Sequence, residues 1–321
     1  MRTLVTGGAG FLGSHLCDAL VDRGDSVVCL DDLSSGRTAN VAHLLSHDRF
    51  TLVEADVRAE ITLRGDFDAV AHLASPASPP DYLSRPVETL TTGSHGTLNA
   101  LNFARDNAAR FVLASTSEVY GDPLVHPQPE TYWGNVNPIG PRSVYDEAKR
   151  FAEALATAYR SARDVNVGIV RIFNTYGPRM RPDDGRAITT FIVQALRGTP
   201  LTVYGNAQQT RSFCYVDDLI RGIIAMLDSS EAGPINLGNP SEMTIQEVAE
   251  HVIRLTGSSS RIEHHPLPVD DPTRRKPDIE RAAQRLGWAP SVPIELGLQR
   301  TIAWFRHHHA EALASGLGSP Q

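Results

Sequence analysis

The 321-residue chain holds only three cysteines, Cys17, Cys29 and Cys214. None forms a C-x-x-C pair and three cannot pair completely, so buried, inert thiols in a reducing cytoplasm are the expectation. Basic residues are in the minority: 30 Lys+Arg against 37 Asp+Glu give a formal charge of −7 at pH 7. That balance argues against a nucleic-acid protein, because a phosphate backbone demands a basic face. No apolar run approaches the roughly 20 residues of a bilayer span, so no membrane anchor is expected. Met1-Arg2-Thr3 leads straight into a strand pattern, with no room for a signal peptide. Metal-ligand spacing is missing as well. His307-His308-His309 are consecutive and point apart on a helix, and His264-His265 have no cysteine nearby, so no metal site is expected.

What is present is an alternation. Short apolar runs at Leu4-Val5-Thr6, Val27-Val28-Cys29-Leu30, Thr51-Leu52-Val53, Ala69-Val70-Ala71-His72-Leu73, and residues 111–115 and 167–172 are separated by helical patterns, beginning with residues 13–23. Strands alternating with helices predict an α/β fold, a Rossmann-type doubly wound parallel sheet buried on both faces. Beyond about residue 173 the rhythm loosens. Leu201-Thr202-Val203-Tyr204 reads as a strand, 216–227 and 244–255 as helices, and the Ser-, Pro- and charge-rich 256–277 as a loop. We therefore divide the chain into a nucleotide-binding domain, 1–173 plus 209–238, and a smaller C-terminal α/β substrate domain, 174–208 plus 239–321. The proline-punctuated connection 123–141 is long enough to be functional or mobile, and 313–321 reads as a frayed tail.

Gly7-Gly8-Ala9-Gly10-Phe11-Leu12-Gly13 follows the first strand and opens the first helix. Glycines at 7, 10 and 13 allow a tight turn, close approach to a pyrophosphate and close helix–strand packing. The phosphates then meet the helix N-terminus, where free N–H groups favour negative charge. Asp31 ends the second strand, where a carboxylate accepts from the adenosine ribose hydroxyls and repels a 2′-phosphate. NAD is thus preferred over NADP, with Arg37 the only contrary residue. Asp56-Val57 falls after the third strand, beside the adenine or as an ordinary strand end.

Tyr145 and Lys149 are spaced i, i+4, which stacks phenol and ammonium on one helix face. Ser143 and Asp146 form a capping-box-like pair at that helix's start. A free tyrosine, with a pKa of about 10, is a poor base at neutral pH. A nearby ammonium and the cationic nicotinamide favour the phenolate, which then takes a hydroxyl proton. An amphipathic helix with a core Tyr and a surface Lys is the bland alternative. The glycine fingerprint upstream outweighs it.

Five further stretches are distinctive: His72-Leu73-Ala74-Ser75-Pro76-Ala77-Ser78-Pro79; Ser115-Thr116-Ser117-Glu118-Val119-Tyr120-Gly121-Asp122-Pro123; Tyr132-Trp133-Gly134-Asn135-Val136-Asn137-Pro138-Ile139-Gly140-Pro141-Arg142; Arg171-Ile172-Phe173-Asn174-Thr175-Tyr176-Gly177-Pro178-Arg179-Met180; and Asp271-Pro272-Thr273-Arg274-Arg275-Lys276-Pro277-Asp278-Ile279. With the glycine turn and the Tyr–Lys pair, they resemble the extended short-chain dehydrogenase/reductases, and within these the UDP-glucuronate decarboxylases, from the first strand to about Phe305. The resemblance implies decarboxylation of UDP-glucuronate to UDP-xylose through a UDP-4-keto intermediate: C4 oxidation, CO2 loss, C4 re-reduction. It implies that Thr116, Ser117, Glu118, Tyr145, Lys149 and Arg275 carry the chemistry. Thr116 would hold the 4-hydroxyl that Tyr145 deprotonates, while Ser117, Glu118 and Arg275 surround C5 and C6.

NAD would contact Gly7, Gly10, Phe11, Leu12 and Gly13, then Asp31, Asp32, Ser35 and Gly36, and Asp56 with Val57. Further along, it would meet Leu73, Ala74, Ser75, Thr92, Thr175 and Arg179, as well as Tyr145 and Lys149. The nucleotide sugar would meet Pro79, Asn99, Tyr159, Asn174, Arg186, Val203, Tyr204 and Arg211 besides Thr116, Tyr145 and Arg275. A homodimer through two helices per subunit is implied too, and the apolar Ala148, Ala152 and Leu155 are compatible with it.

Three positions depart from the family pattern. Thr91-Thr92-Gly93 stand where relatives commonly show Lys-Thr-Asn, and Ala148 replaces a frequent Gly beside Lys149. Three rival readings remain: a nucleotide-sugar 4,6-dehydratase, a 4-epimerase, and a non-catalytic NAD(H)-binding protein. Ser117-Glu118 after Thr116, where a dehydratase has Asp-Glu, and the presence of Arg275 favour decarboxylation over the first two. Thr116, Tyr145 and Lys149 together speak against the third.

Overall fold

A computed structural model describes residues 1–205, 209–266 and 274–308. The quoted Asp271-Pro272-Thr273, His309 and the tail 313–321 lie outside the described residues. The strands in chain order are β1 (Arg2–Thr6), β2 (Ser26–Asp31), β3 (Phe50–Glu54), β4 (Ala69–His72), β5 (Arg110–Thr116), β6 (Val167–Ile172), β7 (Thr175–Tyr176), β8 (Leu201–Tyr204), β9 (Thr210–Ser212), β10 (Cys214–Tyr215), β11 (Ile235–Leu237), β12 (Glu242–Thr244), β13 (Ile262–His265) and β14 (Arg274–Arg275). Seven of them form one parallel sheet in the order β11-β6-β5-β4-β1-β2-β3.

The chain winds outward from β1 to β3, then returns to β4 beside β1 and winds the other way. In such sheets ligands bind at that reversal, outside the carboxyl ends of the strands. Successive strand residues enter opposite cores: Leu4, Val70 and Phe111 pack on one face, and Val5, Ala71 and Val112 on the other. Leu16 and Leu20 of α1 (Phe11–Asp22) join the second core. The first core is covered by α4 (Thr97–Asp106), through Leu101 and Ala104, and by α5 (Ser143–Arg163), through Ala152 and Ala156. The two helices between, α2 (Pro79–Ser84) and α3 (Pro86–Thr91), each begin on a proline. A π-helical turn, Thr92–Gly96, joins α3 to α4.

The smaller elements pair outside the large sheet. β9 lies between β12 and β14, β8 pairs β13, and β7 pairs β10. The helices α6 (Ala187–Arg197) and α8 (Ile245–Thr256) flank this region, and α7 (Val216–Leu227) packs against α1. Thr244 caps α8 with a reciprocal bond to Glu247.

Three expectations change. Residues 256–277 are not all loop: β13 and β14 form there, because each pairs in parallel with a distant strand, and local composition carries no trace of that. His264 and His265 are therefore strand residues. The start of α5 has no capping box: Arg142 is the N-cap and its side chain makes no capping bond, and Asp146 is buried. Ala148 and Ala152 are buried within the chain itself, so they offer no subunit contact. Residues 123–141 are tied down by the bridges Gly121↔Asn135 and Gln128↔Pro277.

Candidate active site

A cavity of about 710 Å³ opens at the sheet's reversal point, bordered by the turns after β1, β2, β4 and β5 and by the start of α5. At its dinucleotide end the backbone closes without side chains. Gly7 has φ +70°, and a Cβ there would sit 2.8 Å from the Ala74 backbone nitrogen. A Cβ on Gly13 would lie 2.0 Å from the Gly7 carbonyl oxygen. Asp31 is buried; its Oδ2 accepts from Ala9 N and its Oδ1 from Leu33 N, each at 2.9 Å. Burial raises its pKa, partly offset by those two bonds. Arg179 holds a left-handed backbone, φ 68°, and gives one guanidinium nitrogen to Asp18 at 2.6 Å. Its Nη1 is buried with no hydrogen-bond partner among the described residues, and such an orphan donor calls for an anion.

A nucleotide with a diphosphate therefore fits this end. Gly10, Phe11, Leu12, Asp32, Ser35, Gly36, Asp56 and Val57 border the cavity, as do Leu73, Ala74, Ser75, Thr92 and Thr175.

At the other end β5 delivers Thr116, and a tight turn (Ser117–Tyr120) follows at once. That turn aims Glu118 back across the cavity, its backbone N–H donating to Thr116 Oγ1 at 3.2 Å. The Thr116 side chain lies beside the Tyr145 hydroxyl and favours its ionised form. Lys149 donates to the Ala114 carbonyl at 2.9 Å, with its ammonium 5.8 Å from the Tyr145 ring centre. Burial lowers the Lys149 pKa to about 8, against the opposing charge of Glu153. Burial, reinforced by the charge of Glu118, pushes the Tyr145 phenol well above its ordinary value, against the influence of Thr116. In the protein alone burial thus favours the neutral phenol, and the phenolate is expected once the cationic nicotinamide lies beside Tyr145 and Lys149.

Arg275 grips Glu118 with both nitrogens, Nη1–Oε1 at 2.6 Å and Nη2–Oε2 at 2.8 Å, and Arg142 adds a third contact at 2.9 Å. Burial alone would raise the Glu118 pKa, but the two guanidiniums win and hold it near 2. Glu118 is a fixed carboxylate at neutral pH.

Pro79, Asn174, Arg186, Tyr204 and Arg211 also border the cavity. Asn99, Tyr159 and Val203 do not. The Asn99 amide donates to the carbonyls of Val57, Arg58 and Ala59, each at 2.9 Å, holding the turn after β3. The Tyr159 hydroxyl is spent on Asn102 at 2.7 Å, and Val203 is fully buried in the core. The sequence reading assigned nothing to Arg142 or Tyr82. Arg142 stood inside a quoted stretch, but its approach to Glu118 depends on how 123–141 folds back. Tyr82 stacks on Tyr145, rings 5.2 Å apart and 10° from parallel. No spacing rule links residues so far apart in the chain.

A family profile described as GDP-mannose 4,6 dehydratase matches residues 4–301. UDP-glucuronic acid decarboxylase 1 of Arabidopsis thaliana is 52% identical over 96% of this chain and 70% of its own length. Its namesake from Xenopus tropicalis is 52% identical over 95% of this chain and 72% of its own. Among solved structures, a dTDP-glucose 4,6-dehydratase from Streptomyces venezuelae with NAD bound superposes with a TM-score of 0.88 at 31% identity, covering 98% of this chain and 100% of its own. By sequence and by fold, the chain belongs to the GDP-mannose 4,6 dehydratase family of extended short-chain dehydrogenase/reductases, in its UDP-glucuronic acid decarboxylase branch.

Proposed function

We propose that the protein is an NAD-dependent UDP-glucuronate decarboxylase that yields UDP-xylose through a UDP-4-keto intermediate. The observation that carries this is the Glu118–Arg275–Arg142 cluster beside Thr116, Tyr145 and Lys149. Two guanidiniums and one carboxylate leave a net charge of +1, which suits a single substrate carboxylate at C6. A neutral hexose has nothing to offer it, which disfavours the dehydratase and epimerase readings.

Asp31 and the glycine turn hold the dinucleotide, and Arg179 faces its diphosphate. The dinucleotide supplies a reversible hydride acceptor at the sugar's C4. Thr116 orients the 4-hydroxyl, and the Tyr145 phenolate, stabilised beforehand by the Lys149 ammonium and by the cationic nicotinamide when bound, takes its proton and becomes the neutral phenol. The sugar then has a ketone β to its carboxylate, and CO2 leaves as the bonding pair moves into the C4 carbonyl. The cluster's uncompensated +1 charge stays behind, and it stabilises the resulting enolate. Glu118, held as a carboxylate, orients the guanidiniums and is not the acid that protonates C5. Arg211 and Asn174 take the nucleotide's diphosphate, and Tyr204 the uracil.

Residues 1–173 plus 209–238 form the dinucleotide lobe in this reading, and the remainder the sugar-nucleotide lobe. The exposed apolar residues Val87, Leu90 and Phe151, on the neighbouring α3 and α5, support a homodimer. Three free, buried thiols suit a reducing, cytoplasmic setting. Incubation with UDP-glucuronate and NAD⁺, followed by NMR, should show UDP-xylose with release of one CO2. Conversion of UDP-glucose with no CO2 from UDP-glucuronate would contradict the reading.

A further inference from the structure

Two segments that are distant in sequence meet beside Tyr145. From the dinucleotide lobe comes α2: Ser78 caps it and donates Oγ to Asp81 Oδ2 at 2.7 Å, and Tyr82 stacks on Tyr145. From the other side comes 180–186. Arg181 Nη2 donates to both Asp81 oxygens at 2.9 Å. Gly185, at φ +79°, is close enough to Pro80 that an added Cβ would lie 3.0 Å from its ring. One residue further, Arg186 bonds Asp184 and bears electrostatically on the Tyr145 phenol. One end of the bridge thus packs on Tyr145, and the other carries a charge that acts on it. Asp81 and Arg181 both border the cavity.

The joint is an ion pair whose side chains keep 16% and 18% of their exposure. Water reaches both partners, so the pair separates without stranding a dry charge, unlike a fully buried bridge. The proposed chemistry gives such a joint a task. Once CO2 has left and the enolate is protonated at C5, the Glu118–Arg275–Arg142 cluster faces a neutral ketone, and the C6 end no longer holds the sugar. The ketone is then most prone to escape.

We propose that Asp81 and Arg181 are a latch that retains the 4-keto intermediate until C4 is reduced again. The inference rests on the decarboxylase reading for the identity of what is retained. Neither residue touches the reacting atoms; they act through the two segments they join.

Asp81→Asn and Arg181→Gln test it, with two readouts. The first is the ratio of released UDP-4-keto-pentose to UDP-xylose by NMR, after incubation with UDP-glucuronate and NAD⁺. The second is the dissociation rate of UDP-xylose by stopped-flow fluorescence. Both should rise about tenfold, the effect of about 1.4 kcal/mol lost from the closed state. Arg181→Lys keeps the charge without the fork and should give a smaller rise, which keeps the test readable if the other variants fold poorly. An unchanged ratio and off-rate in all three variants would overturn the latch. Faster UDP-xylose release from the variants, with no CO2 formed even by the unsubstituted protein, would leave the latch standing and remove the decarboxylase reading instead.

Discussion

Glu118 shows how two neighbours decide what a carboxyl can do. Burial favours its neutral form, yet Arg275 and Arg142 hold its pKa near 2, below the ordinary 4.5. A carboxyl with a depressed folded-state pKa stabilises the fold above its unfolded pKa, and this is lost as pH falls through the folded one. Here the window runs from about pH 4.5 down to about 2. Glu118→Gln should therefore destabilise the protein at pH 7 by up to about 3 kcal/mol, leaving two guanidiniums without their anion. The gap to the unsubstituted protein should shrink by about half at pH 3. Urea midpoints at the two pH values check this, and a gap that does not narrow would mean the ion pairs are not what Glu118 contributes. The sequence placed Glu118 and Arg275 at one end of the site by resemblance. It did not show them locked together, because 156 residues separate them and strand pairing of β14 with β9 brings them into contact. Asp146 is the converse case. Read as a cap, it is buried with Oδ1 unpartnered among the described residues, and burial together with the charge of Glu118 raises its pKa to about 7.

At the scale of elements, two of the positions that depart from the expected pattern, Gly93 and Ala148, meet each other. A Cβ on Gly93 would lie 2.7 Å from the Ala148 Cβ and 3.1 Å from its carbonyl oxygen. The glycine that the resemblance implies on α5 and the larger residue it implies on the opposing turn would here be exchanged, and Gly93 leaves the room that the Ala148 methyl takes up. The two changes looked unrelated in the sequence because their contact exists only between packed helices. Gly93→Ala should cost about 1–3 kcal/mol by overpacking. Adding Ala148→Gly should recover most of that, even though glycine inside a helix by itself costs up to about 1 kcal/mol. Denaturant titration of both single variants and the double variant gives the coupling directly. Additive losses would show that the contact does not limit the packing. Elements with their own periodicity, such as β1 to β6, α7 and α8, were legible from the residues alone. β13 and β14 were not, since each exists by pairing with a partner some 60 residues away.

For the whole molecule, the sheet's reversal at β1 and β4 places a dinucleotide cradle and a charged sugar end in one cavity, and the account joins them in a single reaction. Every step after C4 oxidation then occurs on a sugar that has not left the site. The hydrogen removed from C4 is the one returned to it, whereas the proton added at C5 after CO2 loss comes from exchangeable groups. Conversion of UDP-glucuronate in D2O, read by NMR, tests this directly. The account predicts UDP-xylose with one deuterium at C5 and none at C4; deuterium at C4, or a C5 that carries none, would contradict it.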